Sequence, residues 1–512
     1  MSARRGGRAR TRAQATQAAL PERRAYRHLR HPFEAQRVFS DDAVARLHET
    51  ALRVLEELGV KILLPEAREL FAKAGASIDA DDDMVRIGRE IVESALATAP
   101  RSIRLRAANP DREQIFEPGA MLFVAGAGCP NATDLERGRR PGSLQDFEET
   151  LKLQQSFDVI HFFGPSAEPQ DIPVKFRHYE MIRAQMTLGD KPMFIYSRGR
   201  QQVQESFDLI KLGLNLSEED FASGSWATTV INTNSPRQID VPMAQGIIDF
   251  ARAKQMSIIT PFCLAGAMAP ITIAGALVLQ HAEALASIAL AQLARPGAPV
   301  AYGGFSSNVD MKSGSPAFGT PEHVKLSIAS GQLARHIDLP WRSASGTASN
   351  TPDMQSAGET HMALWGALQA NATVTLHAAG WLEGGLSFGY EKFINDVEAL
   401  QTIAELCVRP TDDTESLAWS ALADVQPGGH FFATEHTMER YKTAFYEPLV
   451  ADLSNFGTWS AAGGKTSSER ATEIWRSVLR DFQPPEQGAQ VGERIASTIE
   501  AWKARGGAVP PG

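Results

Sequence analysis

From Met121 onward the chain alternates between two kinds of pattern. A short apolar run gives way to polar, glycine or proline residues, then to a long stretch with helical spacing, then to another apolar run. The runs are Leu122–Ala125, Val159–Phe163, Met193–Tyr196, Ala227–Ile231, Ser257–Pro261, Val300–Gly303, Trp341–Ala344 and Thr373–His377, eight in all. Helical patterns follow them at 143–157, 173–188, 201–214, 240–254, 272–294, 320–337, 353–371 and 392–407. Most of the runs are continuous rather than alternating, as expected of strands covered on both faces. Eight strand–helix units in succession predict an α/β fold, a (β/α)₈ TIM barrel. The rival is a doubly wound open sheet, which often carries a glycine-rich phosphate turn after its first strand. Gly126-Ala127-Gly128-Cys129-Pro130 follows the first run, but Asn131 stands where the third glycine is required, so the barrel is preferred.

Helix starts carry the expected chemistry. Ser143-Leu144-Gln145-Asp146 reads as a capping sequence, whose serine oxygen accepts an orphan backbone N–H. Thr320-Pro321-Glu322 places a cap, then proline in the first turn, then an acid at the positive end of the helix dipole. Ahead of the barrel, Asp41–Leu58 has one apolar face formed by Val44, Leu47, Ala51, Val54, Leu55 and Leu58, and Gly59 stops it. Pro65–Ala74 and Glu90–Thr98 predict two shorter helices, and Met84–Ile87 and Ile103–Leu105 two short strands. After the barrel, helices are expected near 435–447 and 466–480. The predicted organisation is therefore a basic, disordered arm over 1–30, an α-rich N-terminal extension over 31–120, the barrel over 121–407, a helical C-terminal extension over 408–485 and a Pro/Gly-rich tail over 486–512.

Composition narrows the function. The 512 residues are 43% hydrophobic and 22% charged, ordinary for a soluble enzyme. A net charge of −9 argues against a general nucleic-acid binder, which needs a cationic face toward the phosphates. Arg4, Arg5, Arg8, Arg10, Arg12, Arg23, Arg24, Arg27 and Arg30 crowd the first thirty residues against one acid, Glu22. No apolar core or small-residue cleavage site follows, so a disordered arm is expected rather than a transit peptide. Cys129, Cys263 and Cys407 have no CxxC spacing, which suits a reducing cytoplasm. No apolar run reaches the length of a membrane span, and Leu264–Leu279, interrupted by Pro270, reads as a loop leading into a buried helix.

In barrels the chemistry sits at the C-terminal ends of the strands. Here those ends are rich in special residues: Asn232-Thr233-Asn234-Ser235-Pro236, Phe262-Cys263, Gly303-Gly304-Phe305-Ser306, Ser345-Gly346-Thr347, and His377 followed by Gly380-Trp381-Leu382-Glu383. Taken singly, such glycines make turns, such asparagines cap loops and such aromatics fill space. Their crowding at one end of five strands points to a site. Other chemistries find little support. There is no GxSxG elbow and no HExxH. Cys263 and His377 are two scattered residues, whereas a catalytic zinc needs three protein ligands, so no metal site is expected. Gly464-Lys465-Thr466 resembles the end of a P-loop, but Trp459 occupies the place of its first glycine.

Four stretches resemble the trimethylamine methyltransferase family: Gly303-Gly304-Phe305 with Phe318-Gly319-Thr320-Pro321-Glu322; Pro352-Asp353-Met354-Gln355-Ser356-Ala357-Gly358-Glu359; Leu376-His377-Ala378-Ala379-Gly380-Trp381-Leu382-Glu383 running into Tyr390-Glu391-Lys392-Phe393 and Asp396; and Gly429-His430-Phe431-Phe432 with His436-Thr437, Pro448-Leu449 and Trp459-Ser460-Ala461-Ala462-Gly463. The resemblance implies a (β/α)₈ barrel that moves a methyl group from a methylated amine to a corrinoid protein, with the cobalamin supplied by that partner rather than bound tightly. The family's founding members carry pyrrolysine; the corresponding stretch here, Ala344–Ala348, has only ordinary residues. Members without pyrrolysine include some that demethylate quaternary amines such as glycine betaine.

A quaternary nitrogen already bears its positive charge, so a neutral tertiary amine can leave, and little acid–base work remains. An aromatic cage suits such a cation. Phe262, Phe305, Trp341 and Trp381 are the candidates for it, with Gly346 beside them. Glu359 or Glu383 is expected to supply countercharge, Asn232 or His377 to anchor a substrate carboxylate, and Glu359, Glu383 and His377 form the catalytic set. A homo-oligomer is expected. Two other classes stay open at this point: a barrel that binds a methylated amine without turnover, and a hydrolase or lyase that uses Glu359, Glu383 and His377 as acid and base.

Overall fold

Seven of the eight apolar runs become parallel strands of one curled sheet. They are β1 (Ala120–Phe123), β2 (Met193–Phe194), β3 (Ala227–Ile231), β4 (Met256–Ile259), β5 (Val300–Gly303), β6 (Trp341–Ala344) and β7 (Val374–Leu376). The structure, a computed structural model, describes residues 25–79 and 81–511. The strands pair in the order β2-β3-β4-β5-β6-β7-β1, every neighbour parallel. An eighth strand, Leu29–Arg30, lies antiparallel along the outer edge of β1. Parallel strands buried on both faces need apolar residues on both, which is why the runs are continuous.

The remaining run, 159–163, makes no ladder. It is buried, and it meets β1 through one parallel bridge, Val124 to Phe162. His161 N donates to Phe123 O at 2.9 Å, and Phe163 N donates to Pro192 O at 3.1 Å, just ahead of β2. Side chains have replaced part of the ladder. Phe123 N–H donates to His161 Nδ1 at 2.9 Å instead of to a strand carbonyl. The buried Lys191 ammonium collects the carbonyls of Gln154, Phe157 and Ile160 at 2.6, 2.8 and 2.6 Å. A strand predicted from its apolar composition alone is thus an extended segment stitched in by a histidine and a lysine.

Eight helices wrap the sheet: α1 (Leu144–Ser156), α2 (Val174–Leu188), α3 (Arg200–Leu214), α4 (Val241–Arg252), α5 (Ile273–Ala294), α6 (Pro321–His336), α7 (Met354–Gln369) and α8 (Tyr390–Leu406). Their starts follow the caps. Ser143 and Asp146 form a reciprocal capping box, and Thr320 accepts from His323 N at 3.2 Å with Pro321 in the first turn. Helix α5 is long and apolar enough by composition to cross a bilayer. Here it is a core helix, buried against Asp41–Arg53, Arg89–Thr98 and α4.

The flanking regions depart further from expectation. Residues 1–24 of the basic arm lie outside the described residues; the rest, 25–30, is not a disordered segment but is packed. Tyr26 is buried, its carbonyl accepts from His161 Nε2 at 2.8 Å, and Leu29–Arg30 extends the sheet. In the N-terminal extension the first helix runs Asp41–Arg53, loosens into a π turn over Val54–Leu58, and ends at Gly59 with φ +74°. After α8 the chain holds short helices at Trp419–Asp424, Glu435–Arg440 and Phe456–Ala461, so the helix expected over 435–447 is cut short. This segment exposes large apolar side chains, Trp419 at 78% and Phe445 at 83% among them. The expected tail is instead the 17-residue helix Gly488–Ala504. Its stripe of Val491, Ile495 and Ile499 packs on α2 and α3, an i, i+4 spacing that the flanking glycines and prolines obscured.

Candidate functional site

A cavity of about 690 Å³ opens where the strands end. Its floor comes from inside the strands: Phe194 of β2, Val230 of β3, Arg342 of β6 and Leu376 of β7. Its walls come from the segments that follow them. Asn232 to Ser235 follow β3, Phe262 follows β4, Phe305 follows β5, and His377 and Trp381 follow β7. Five of the nine residues singled out from sequence therefore face one space: Asn232, Phe262, Phe305, His377 and Trp381.

The aromatic wall is one contact network. Phe305 lies 5.0 Å from Phe262, 5.4 Å from Phe318, 5.8 Å from Trp381 and 5.1 Å from the His377 ring, centroid to centroid. Trp381 stacks on His377 at 4.5 Å and 17°. Close backbone approach fixes the indole: a Cβ on Gly346 would fall 2.1 Å from Trp381 Cε3, and one on Gly385 would fall 2.5 Å from Cζ2. Gly346 thus belongs to the site by being small, and the tight fit needs glycine there. Trp381 Nε1 is buried and has no hydrogen-bond partner among the described residues.

His377 has φ +56°, and its Nδ1 accepts from Ala127 N at 3.3 Å. That bond leaves the proton on Nε2. Burial, and next the Arg342 charge, hold its pKa well below the usual histidine value, so it is neutral. It stands as a donor, not as a poised base. Cys263, weighed with it as a metal pair, lies elsewhere: its thiol is 3.4 Å from Ser235 Oγ and 3.9 Å from Glu283. Among the described residues no three His, Cys, Asp or Glu side chains gather as a ligand set.

Three predicted residues take other places. Trp341 opens β6 at the far end of the strand, buried in the core, where its Nε1 donates to Asn371 O at 3.0 Å. The alternation of a strand and its direction put its side chain away from the mouth. Glu359, on α7, accepts from Ala348 N at 2.9 Å, Ser349 N at 3.2 Å and the Thr347 hydroxyl. It holds the loop after β6 and does not line the cavity. Glu383 pairs with Arg139 at 2.9 Å and accepts from Ser387 Oγ at 2.7 Å. It pins the Trp381–Gly389 hairpin from outside, and only its neighbours Gly384, Gly385 and Leu386 reach the cavity.

Sequence reasoning missed the charges. Arg342 is 1% exposed, sits in register with Val374 of β7, and its guanidinium carbon lies over the Phe305 ring, 4.4 Å from the centroid. Its Nε and Nη1 donate to nothing, and among the described residues no carboxylate pairs with it. Burial pulls its pKa down, to about 9, so it remains a cation at neutral pH. The signal was present: an arginine inside a strand covered on both faces needs a partner. On the opposite wall, Arg198 lies 4.2 Å over the Tyr196 ring and is paired with Glu168 at 2.9 Å, and Glu168 also takes Arg177 at 2.7 Å. Behind Asn232, the buried Glu283 accepts from Ser235 Oγ at 2.6 Å, Arg237 N at 2.7 Å and the Thr233 hydroxyl. Burial raises its pKa despite these donors.

This geometry can enclose a cation against aromatic faces and present a buried guanidinium with unused donors. The comparisons agree with the motifs. A family model described as trimethylamine methyltransferase matches residues 4–507. The chain is 33% identical over 464 residues to a glycine betaine methyltransferase of Desulfitobacterium hafniense, covering 90% of this chain and 96% of that protein. It is 29% identical to a trimethylamine methyltransferase of the same species, covering 90% and 92%. The monomethylamine methyltransferase of Methanosarcina barkeri superposes with a TM-score of 0.42 at 10% identity, covering 90% and 92%. A match over nearly the whole length, with a relative at one-third identity, places this chain in the trimethylamine methyltransferase family.

Proposed function

We propose that this enzyme transfers a methyl group from a quaternary methylated amine to the cobalt of a cognate corrinoid protein. The observation that carries the reading is the wall of Phe262, Phe305 and Trp381 on a cavity at the strand ends, backed by the buried Phe318 ring. The likeness to a glycine betaine methyltransferase supports the substrate class. Segment 159–163, bonded to β1 on one side and to the start of β2 on the other, completes a (β/α)₈ barrel in this reading.

A methyl group on a quaternary nitrogen leaves as a methyl cation equivalent. The carbon–nitrogen bond breaks, the nitrogen keeps the electron pair, and a neutral tertiary amine remains. The reduced corrinoid supplies the nucleophile, in a centre that this chain need not ligate. The rim suits a bulky acceptor, since Ala127, Gly128, Gly384 and Gly385 are small and leave the mouth open. The chain's own side chains bind, orient and exclude water. The aromatic faces hold the ammonium at about 0.5–2 kcal/mol per contact, and enclosure keeps the donor methyl in line for attack. No proton has to move, which fits a neutral His377 and the absence of Glu359 and Glu383 from the cavity lining.

The test mixes purified protein, glycine betaine and a matched reduced corrinoid protein, and follows the cobalt absorbance. Loss of the reduced spectrum, with dimethylglycine formed in equal amount, is the expected result. No change across a panel of quaternary amines would sink the reading.

A further inference from the structure

Among the described residues the charge at the bottom of the cavity has no partner. Arg342 is almost wholly buried, two of its nitrogens donate to nothing, and it lines the cavity. Buried cations are normally paired, and each unpaired one asks for an explanation. Cation–π contact with Phe305 at 4.4 Å offsets part of the charge but leaves the donors unused. Arg198, the other guanidinium on the cavity, already donates to Glu168, which it shares with Arg177. Of the two, Arg342 is therefore the guanidinium with buried donors unused by the described residues and open to an occupant.

We propose that Arg342 is the receptor for an anionic group on the substrate, so that the donor is a zwitterion bound with its carboxylate down and its N-methyl groups up. The inference rests on the quaternary-amine reading for the upper half of the site. Depth sets the orientation. Arg342 lies within β6, one residue after the strand begins, whereas Phe262, Phe305 and Trp381 come from beyond the strand ends. A carboxylate on the guanidinium puts the ammonium one or two carbons higher, among the rings. Its methyl groups then face the mouth, the side from which a protein-borne acceptor must approach. A guanidinium fork matches a carboxylate's two oxygens, so the contact is directional as well as charged.

The same charge selects against other methylated amines. Tetramethylammonium, choline and protonated trimethylamine bring a second positive charge and no anion, and so are repelled from a site that a zwitterion neutralises. Asn232 plays a smaller part, since one of its amide hydrogens is already given to Thr260 O at 2.8 Å. This moves the carboxylate anchor from the expected Asn232 or His377 to Arg342.

Calorimetric titration of the full chain tests this with three probes: glycine betaine, tetramethylammonium, and 3,3-dimethylbutyrate, the uncharged-headed carbon analogue of betaine. Wild-type protein is expected to bind betaine at least about tenfold more tightly than tetramethylammonium. Arg342→Met is expected to weaken betaine and dimethylbutyrate at least about a hundredfold and to leave tetramethylammonium equal or tighter. Arg342→Lys, which keeps the charge without the fork, should fall between. The melting temperature of ligand-free Arg342→Met should match or exceed wild type, which separates lost binding from lost folding. Undiminished betaine and dimethylbutyrate affinity in folded Arg342→Met would overturn the proposal. The quaternary-amine reading fails in a different way: wild type would bind dimethylbutyrate as tightly as betaine, with Arg342 still required.

Discussion

The two walls of the cavity are built to opposite rules. On the side of β2 and β3, the charged groups are hydrogen-bonded from within the chain. Arg198 and Arg177 share Glu168, and Glu283 collects donors from Thr233, Ser235 and Arg237. On the side of β5, β6 and β7, two cavity-lining residues keep buried donors without a partner among the described residues: two nitrogens of Arg342 and Nε1 of Trp381. Protein interiors rarely tolerate such leftovers, because each costs the desolvation of a polar group with no bond in return. The answered wall is a scaffold. The unanswered wall is shaped for something that arrives from outside.

The largest effect that would separate the walls is expected at Trp381. Trp381→Ala removes a 4%-exposed indole from a cage of four rings. A loss of about 3–5 kcal/mol in stability is expected from the cavity left behind, together with the loss of measurable betaine binding. Urea unfolding and calorimetry read the two. Retained affinity would remove the indole from the site. Next comes Glu168→Leu, which leaves Arg177 and Arg198 unpaired. Breaking a buried pair costs about 3–5 kcal/mol, with the lower end expected because the Arg198 side chain is 33% exposed. The comparison turns on the contrast with Arg342→Met. Removing an already unpaired charge in favour of an apolar side chain is expected to cost less than about 1 kcal/mol, or to stabilise. Equal destabilisation by Glu168→Leu and Arg342→Met would mean that Arg342 has a partner in the folded chain after all.

How much of this was legible beforehand depends on the kind of signal. Periodicity found the eight helices and seven of the strands, because burial of a strand on two faces and of a helix on one imposes a spacing that composition cannot hide. It misjudged 159–163, where the bonds come from the His161 ring and the Lys191 ammonium, contacts between positions that no local window relates. It also missed the helix Gly488–Ala504, whose apolar stripe has only three members. In the site, the residues read correctly as cavity-lining were those just past strand ends, where direction alone decides the placement. Trp341 failed because it opens its strand. Arg342 was passed over because it sits inside a run judged by its apolar neighbours, although the cost of burying an unpaired guanidinium was the strongest argument in the sequence.

Glu359 and Glu383 offer a smaller test of the same division. Both are structural acceptors behind the unanswered wall, Glu359 on α7 and Glu383 in the turn of the Trp381–Gly389 hairpin. Glu359→Gln and Glu383→Gln keep an acceptor oxygen, so turnover is expected to fall by less than about tenfold, whereas loss of a general acid or base costs about 10²–10⁴-fold. A drop in the second range for either variant would restore acid–base chemistry to the mechanism.

The smallest expected effect is that of pH, and its flatness is informative. Betaine binding requires Arg342 charged and nothing else on that wall to titrate. His377 is held neutral by burial and by Arg342, and His323, behind Phe318, is lowered to about 4 by the same causes. Neither changes state between about pH 6 and 8, given an unperturbed histidine near 6.5. Glu283, raised by burial, lies behind the opposite wall. Affinity for betaine should therefore be level through the neutral range. It should decline only as pH rises through about 9, where the free guanidinium begins to lose its proton. The sign follows from linkage: the bound carboxylate favours the protonated form, so the complex holds a proton that the free protein releases at high pH, and binding weakens upward. A bell centred near neutrality would place a titrating histidine or carboxylate against the substrate, and the unanswered wall would then be a site of proton transfer rather than of charge recognition.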